Sequence, residues 1–353
     1  MRLAYYPLTL HFKSPAGTSR GVMRIKQTYL LKLWDETAPE RYGVGEAAVF
    51  DGLSKEADGR YEYKLVELLA NIALGRSTDL TDWPSIRFGL EQAIRDFSTG
   101  GRGLYYPSPF TEGKSEIEIN GLVWMGDIDT MMARLEEKIE SGFHCIKLKI
   151  GALDFRQEMR MLEAIRSRFD AAALEIRVDA NGAFTMDNAL PALHILSGYE
   201  VHSIEQPIKA GQWEMMRFLC DVSRVPIALD EELIGLNRRE QKIAMLDTIH
   251  PAWIVLKPAL CGGFSGAEEW IALAEERGIG WWVTSALECN VGLSALAQWT
   301  ATLGVKMPQG LGTGQLYTDN FPSPLILDGD RLRFNPAAMG GDRKALNNLD
   351  WRE

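Results

Sequence analysis

Histidine and cysteine are scarce in this chain, five and four among 353 residues. The histidines show neither an HExxH pattern nor a paired ligand spacing, and no two of Cys145, Cys220, Cys261 and Cys289 form a CxxC pair. This argues against the common zinc sites and against a disulfide framework. Each cysteine lies in or beside an apolar run and reads as a buried free thiol, which suits a reducing, cytoplasmic setting. Long hydrophobic runs are missing too: none reaches the ~20 residues that a bilayer span requires. The opening MRLAYYPLTLHFKS carries charges too early and too often for an export signal, and its alternation suits a first strand. Basic charge is in deficit, with a formal net charge of −10, so a nucleic-acid partner is not expected. No GxGxxG or P-loop follows a strand, which weakens nucleotide-binding readings.

What is present is a globular composition, 46% hydrophobic and 24% charged, with length for a substantial core. The chain changes character along its length. Up to about residue 112, strand-like segments (LAYYPLTLHF, IKQTYLLKLW, YGVGEAAVF) precede helical ones (YKLVELLANIALG, WPSIRFGLEQAIRDFSTG), the order of an α+β unit. Between the first two strands, SPAGTSRG (14–21) reads as a mobile loop. After PSPFTEGKSE, strand and helix alternate from IEINGLVW through CIKLKIG, LEIRVDANG, VHSIEQPI, VPIALDEE, WIVLKPALCGG and IGWWVTSALECN, with a last strand near GVKMPQGLGTG. Such alternation predicts a parallel sheet, either open and doubly wound or closed as a barrel. The later LILDGDRLRFNP reads as a hairpin turning at DG.

Within HCIKLKIG (144–151), Lys147 and Lys149 share one face of a strand, and Ile146, Leu148 and Ile150 share the other. The lysines face either water or a cavity. The neighbouring strands bear on the choice, since Asp179, Glu205, Asp230 and Lys257 each stand at a strand end, spaced 26, 25 and 27 residues apart (179 to 205, 205 to 230, 230 to 257). Taken singly, each carboxylate reads as a solvated strand end or a cap. Taken together, the repeat that returns the chain to the next strand also returns an ionisable group. In a barrel, groups at the carboxyl ends of strands meet. Three carboxylates that close destabilise one another unless a cation lies among them. An oxygen-only set suits Mg²⁺, with Mn²⁺ as a substitute. Arg177 and Asn181 share Asp179's face and are candidates for substrate contact, while Glu231 and Glu232 beyond Asp230 are either supporting or surface groups.

These residues resemble the enolase superfamily. The matching pieces are Lys147-Leu148-Lys149, Asp179-Ala-Asn181, Glu205-Gln-Pro207, Asp230-Glu231 and Lys257-Pro258 followed by Gly262-Gly263, and the KxK pair is similar to the muconate cycloisomerase branch. The resemblance implies an α/β fold, a (β/α)7β modified TIM barrel at 113–320, under an α+β capping domain from 1–112 joined by the tail 321–353. It implies Asp179, Glu205 and Asp230 as Mg²⁺ ligands, Lys149 as general base with Lys147 beside it, and Lys257 on the opposite face of the substrate. A lysine base with Mg²⁺ stabilising an enediolate is a known property of that superfamily, not a reading of these residues.

Within the branch, dipeptide epimerases carry a DxD pair near the last barrel strand, where this chain reads GLGTGQLYTDN. SALECNVG (285–292) resembles the S-x-L-E-S-x-x-G segment of o-succinylbenzoate synthases, with Cys289 at a serine position, and this puts Ser285 forward for the substrate tail. SPAGTSRG resembles the loop those enzymes fold over the site, which puts forward Thr18, Ser19 and Arg20. The implied reaction is a Mg²⁺-dependent syn-dehydration of 2-succinyl-6-hydroxy-2,4-cyclohexadiene-1-carboxylate in menaquinone synthesis. N-succinylamino acid racemase, dipeptide epimerase and muconate cycloisomerase activities are the alternatives, and a retired barrel kept as a binding protein is the non-enzyme one. The expected partner is a small carboxylate; no membrane is expected, and an acidic barrel suits a monomer or a homo-oligomer alike.

Overall fold

The computed structural model describes residues 1–18, 21–124, 126–151 and 154–353. The alternating N-terminal stretch forms an antiparallel meander of β1 (Arg2–Thr18), β2 (Gly21–Asp35) and β3 (Ala38–Ala47). The stretch 14–21, expected as a loop, is largely strand. β1 shifts register between His11 and Ala16, then pairs on as far as Thr18 with Gly21. A bulge absorbs the extra residues and lets pairing continue through small side chains. Ser19 and Arg20, and the side chain of Thr18, lie outside the described residues.

Two helices, α1 (Tyr61–Ala73) and α2 (Pro84–Ser98), cover this sheet. α2 closes the free edge of β3, where Asp96 accepts from the Val44 amide at 2.9 Å and Gln92 from the Glu46 amide at 3.1 Å. So close an approach requires glycine on the strand. A Cβ at Gly45 would stand 2.0 Å from the Gly89 carbonyl oxygen, and one at Gly43 would stand 2.0 Å from that of Ala93.

The alternating stretch gives β4 (Ile117–Glu118), β5 (Gly121–Val123), α3 (Ile128–Glu140), β6 (Cys145–Lys149), α4 (Phe155–Arg166), β7 (Glu175–Asp179) and α5 (Met186–Leu196). It continues as β8 (Ser203–Glu205), α6 (Trp213–Val222), β9 (Ile227–Leu229), α7 (Arg239–Ile249), β10 (Trp253–Leu256), α8 (Pro258–Cys261), α9 (Gly263–Glu275), β11 (Gly280–Val283) and α10 (Asn290–Thr302). The parallel sheet runs in chain order from β5 to β11. Gln309 bridges Ile119 on one side and Gly310 bridges Thr284 on the other, so the ring closes as a (β/α)7β barrel. The last strand is thus reduced to a two-residue bridge, since Pro308 and the glycines at 310, 312 and 314 are poor ladder formers. IEINGLVW splits in two: β5 enters the barrel, while β4 pairs with the hairpin of β12 (Leu325–Asp328) and β13 (Arg331–Phe334). That hairpin turns at Gly329-Asp330, one residue later than the DG expected, with Gly329 at φ 57° in the first loop position. After α11 (Arg343–Asn347), Arg352 bridges to Tyr5 of β1.

On β6 the aliphatic face, Ile146, Leu148 and Ile150, is fully buried under the helices, and Lys147 points into the barrel. Cys145, Cys261 and Cys289 are buried, Cys220 is half-buried, and all four are free thiols. Among the described residues no helix is long and apolar enough to cross a membrane.

The contact of α2 with β3 yields a stability test. Gly45→Ala is expected to cost about 1–3 kcal/mol by overpacking, read as a lower urea midpoint at unchanged slope. An unchanged midpoint would show that α2 lifts off β3 freely.

Candidate active site

Backbone register sets the site. Lys149 of β6 lies opposite Asp179 of β7, which lies opposite Glu205 of β8. Glu205 pairs with Ala228 of β9, so Asp230, two residues on, projects from the same face. All three carboxylates are buried, none more than 2% exposed. Lys257 follows β10, which stands four places from β6 in the eight-membered ring and hence across its mouth.

Ammonium groups are the counter-charges. Lys147 Nζ reaches Glu205 at 2.7 and 2.6 Å and Asp179 Oδ2 at 2.8 Å. Lys149 Nζ donates to the same Asp179 oxygen at 2.5 Å and to Asn181 Oδ1 at 2.7 Å. Lys257 pairs with Asp230 Oδ2, and Asp230 Oδ1 is buried without a hydrogen-bond partner. Burial works against the charge on Asp179, but Lys147 and Lys149 outweigh it and hold this carboxyl well below the ordinary range. Glu205 shifts the other way, to about 8, through burial and the neighbouring Asp179 charge. The geometry explains the opposite signs: Asp179 has two ammonium donors, whereas Glu205 has one and faces another carboxylate. Burial opposes the charges of Lys147 and Lys257 too, yet the carboxylates around them hold both above the usual lysine value.

Among the described residues no group of three Asp, Glu, His or Cys side chains is gathered as a ready metal cage. Donor chemistry and register nevertheless fit a hard divalent ion: three oxygen-only side chains on adjacent strand ends, one with an unpartnered buried oxygen.

The strand ends are braced by groups whose role was not legible. Gln206, at φ 42°, accepts from the amides of Asp230 (3.2 Å) and Glu232 (3.3 Å) and donates to Glu232 (3.1 Å) and the Ile208 carbonyl (3.0 Å). A polar residue between Glu205 and Pro207 at a strand end was the available signal. Glu232 is therefore a support, also accepting from the Gly211 amide at 2.7 Å. Glu231 accepts from Asn181 Nδ2 at 3.0 Å, which places it beside the lysine wall.

A cavity of about 420 Å³ opens over these groups. Lys147, Lys149, Asn181 and Lys257 line it from the barrel, Ala16 and Met23 from β1 and β2, Phe50 and Leu53 from the segment after β3, and Ser285 and Leu287 from the segment after β11. Phe50 and Leu53 were missed because apolar residues in a loop carry no chemical signature. Arg177 requires a correction. It shares Asp179's face but sits one layer deeper, 2% exposed, bonded to Glu175 (2.7 Å) and the Pro308 carbonyl (2.9 Å), with its guanidinium 4.7 Å from the Trp282 ring. It packs the barrel interior and does not line the cavity. Ser285 does line it, but its hydroxyl is committed: it donates to Glu288 at 2.5 Å and accepts from the Leu287 amide (2.9 Å) and Thr313 (2.8 Å). With its one proton given to Glu288, Ser285 has none to offer a ligand in this arrangement.

Known proteins resemble this chain along most of its length. The family described as Enolase C-terminal domain-like matches residues 130–337. An o-succinylbenzoate synthase of Desulfotalea psychrophila is 46% identical, over 94% of this chain and 98% of that protein. The crystal structure of MenC from Desulfotalea psychrophila superposes with a TM-score of 0.84 at 43% identity, covering 94% of this chain and 99% of that one. A substrate-liganded L-Ala-D/L-Glu epimerase from Bacillus subtilis, at 20% identity and a TM-score of 0.79 over 95% of this chain and 96% of that one, shares the fold. The chain belongs to the enolase superfamily.

Proposed function

We infer that this enzyme is a lyase that dehydrates 2-succinyl-6-hydroxy-2,4-cyclohexadiene-1-carboxylate to o-succinylbenzoate. The observation that carries the reading is the full-length likeness to an o-succinylbenzoate synthase at 46% identity, in a chain whose cavity has lysines on opposite walls. In this reading the cap comprises residues 1–112 with the tail from 321, over a barrel of 113–320.

Asp179, Glu205 and Asp230 would hold Mg²⁺, which supplies Lewis-acid stabilisation of the charge that builds on the substrate carboxylate. Lys149, in its neutral form, takes the proton alpha to that carboxylate. The electron pair left on carbon expels the hydroxyl from the adjacent ring carbon. The Lys149 ammonium returns the proton to the departing oxygen, so water leaves and the amine is restored. One group serves both transfers because the hydrogen and the hydroxyl lie on one face of the ring. Lys257, across the mouth, keeps positive charge against the other face as the anion develops. Asn181 accepts from Lys149 at 2.7 Å and so fixes where its nitrogen points. The walls from Phe50 and Leu53 exclude water above the ring.

With Mg²⁺ and the cyclohexadiene acid, the purified protein is expected to consume the diene chromophore, and Lys149→Ala to lose about 10²–10⁴-fold in kcat, the usual worth of a general base. An inactive parent, or a variant as fast as the parent, would sink this assignment. Stability tests the cation site separately. In chelator, Lys147→Met is expected to lose about 3–5 kcal/mol in urea unfolding, because two buried carboxylates lose a shared ammonium. Added Mg²⁺ is expected to raise the melting temperature of parent and variant, more for the variant. No response to Mg²⁺ in either would count against a cation among these three acids.

A further inference from the structure

Lys26 lies in β2, in the N-terminal sheet, yet it is only 6% exposed and its ammonium crosses to the barrel. It donates to two successive backbone carbonyls, Ala286 at 2.9 Å and Leu287 at 2.8 Å, and its head group stands 5.6 Å from the ring of Phe50. Both peptides belong to the cavity wall. The segment they form is not one the backbone adopts unaided, since Leu287 has φ 61°, in the left-handed region. Tyr317 adds a second donor to the Leu287 carbonyl at 2.8 Å. A trans peptide directs its carbonyl and its amide N–H to opposite sides. With the Ala286 carbonyl drawn to Lys26, the Leu287 N–H therefore points away from it, to Ser285 Oγ at 2.9 Å, and Ser285 in turn holds Glu288. One cation from the cap thus sets the shape of a wall built by the barrel.

The place of that wall decides what it affects. It follows β11, four positions around the ring from β7, three from β8 and two from β9, so none of the three carboxylates stands on a strand beside it, and it lines the cavity along with Phe50 from the N-terminal unit. Binding energy at an end that does not react appears chiefly in KM. We propose that Lys26 is a positioning residue: by clamping the Ala286 and Leu287 carbonyls it holds the wall that receives the non-reacting part of the substrate, coupling cap to barrel in substrate recognition. This rests on the dehydratase reading for its substrate, but the clamp itself is tested without one.

Lys26→Met keeps the stem and removes the ammonium; Lys26→Arg keeps a cation. Lys26→Met is expected to raise KM for the cyclohexadiene acid about tenfold, the loss of a charge-assisted hydrogen bond, with kcat little altered. Lys26→Arg is expected to recover part of this. In substrate-free protein, amide hydrogen exchange across 284–290 is expected to quicken in Lys26→Met. Unchanged KM or unchanged exchange overturns the proposal, as does a fall in kcat at unchanged KM, which is what a general folding defect gives. Should Lys26→Met not fold, Tyr317→Phe removes the second donor to the same carbonyl: a smaller KM rise supports the clamp and none overturns it. If the parent does not dehydrate the acid, the functional reading fails alone, and hydrogen exchange still decides the clamp.

Discussion

Three carboxylates and three ammonium groups share one buried layer, and the rest of the molecule is arranged around that fact. A buried ion costs several kcal/mol in lost hydration and is tolerated only with close partners. Neighbouring strands bring their side chains within about 5 Å of one another, so Asp179 and Glu205 cannot avoid each other's charge. Lys147 between them, Lys149 on the same Asp179 oxygen as Lys147, and Lys257 on Asp230 supply one ammonium group for each carboxyl. The same need turns both β6 lysines inward and leaves Ile146, Leu148 and Ile150 to pack under the helices. Fold and site are one constraint on that strand: a slip of one residue would bury the aliphatics in the charged layer and the amines among the helices.

Pairing of charges does not by itself hold the groups in place. Asn181 at φ 44° and Gln206 at φ 42° occupy a backbone region that costs of order 1–3 kcal/mol for such residues. Both are tied down by hydrogen bonds that cross strands, Asn181 to Lys149 and Glu231, Gln206 to Asp230 and Glu232. Strain lies at the strand ends where the charged groups stand, and the bracing network compensates for it. A site so braced presents its amines and carboxylates already oriented, which lowers the reorganisation required when charge develops.

Much of this was legible in the sequence because charge is hard to bury without reason. The alternation in CIKLK and the even spacing of Asp179, Glu205, Asp230 and Lys257 located the layer before any coordinates did. Arg177 shows where such reading stops. Its parity matches that of Asp179, but parity gives only the face of a strand, and depth along the barrel decides whether a residue meets ligand or packing. SPAGTSRG looked like a loop because its residues favour turns, yet pairing with β2 draws it into the sheet as far as Thr18. Gln309 and Gly310 close the barrel mainly through backbone bonds, helped by the Gln309 side chain accepting from the Val283 amide at 2.7 Å, and a two-residue bridge leaves too short a side-chain pattern to read.

Depth also divides the work of the molecule. Below the charged layer the interior is packed by Arg177, Val255 and Trp282, with the partly buried Trp253 and Met307 against them. The cavity opens toward the N-terminal sheet, where Ala16, Met23, Phe50, Leu53 and the 285–287 segment give it apolar side chains and backbone, beside the charged Lys13, Arg134, Glu137 and Lys138. In the proposed reaction the reacting end of the ligand is met by charges that any strand carrying the same motif would supply. Its other end is met by groups that distinguish ligands through shape. Selectivity can therefore drift through the apolar side chains of that wall, which have no charge to pair, while its backbone stays tied to the buried Lys26. It follows that the hardest feature to read here from sequence, which apolar side chains of the cap face the ligand, is also the one most free to change without endangering the fold.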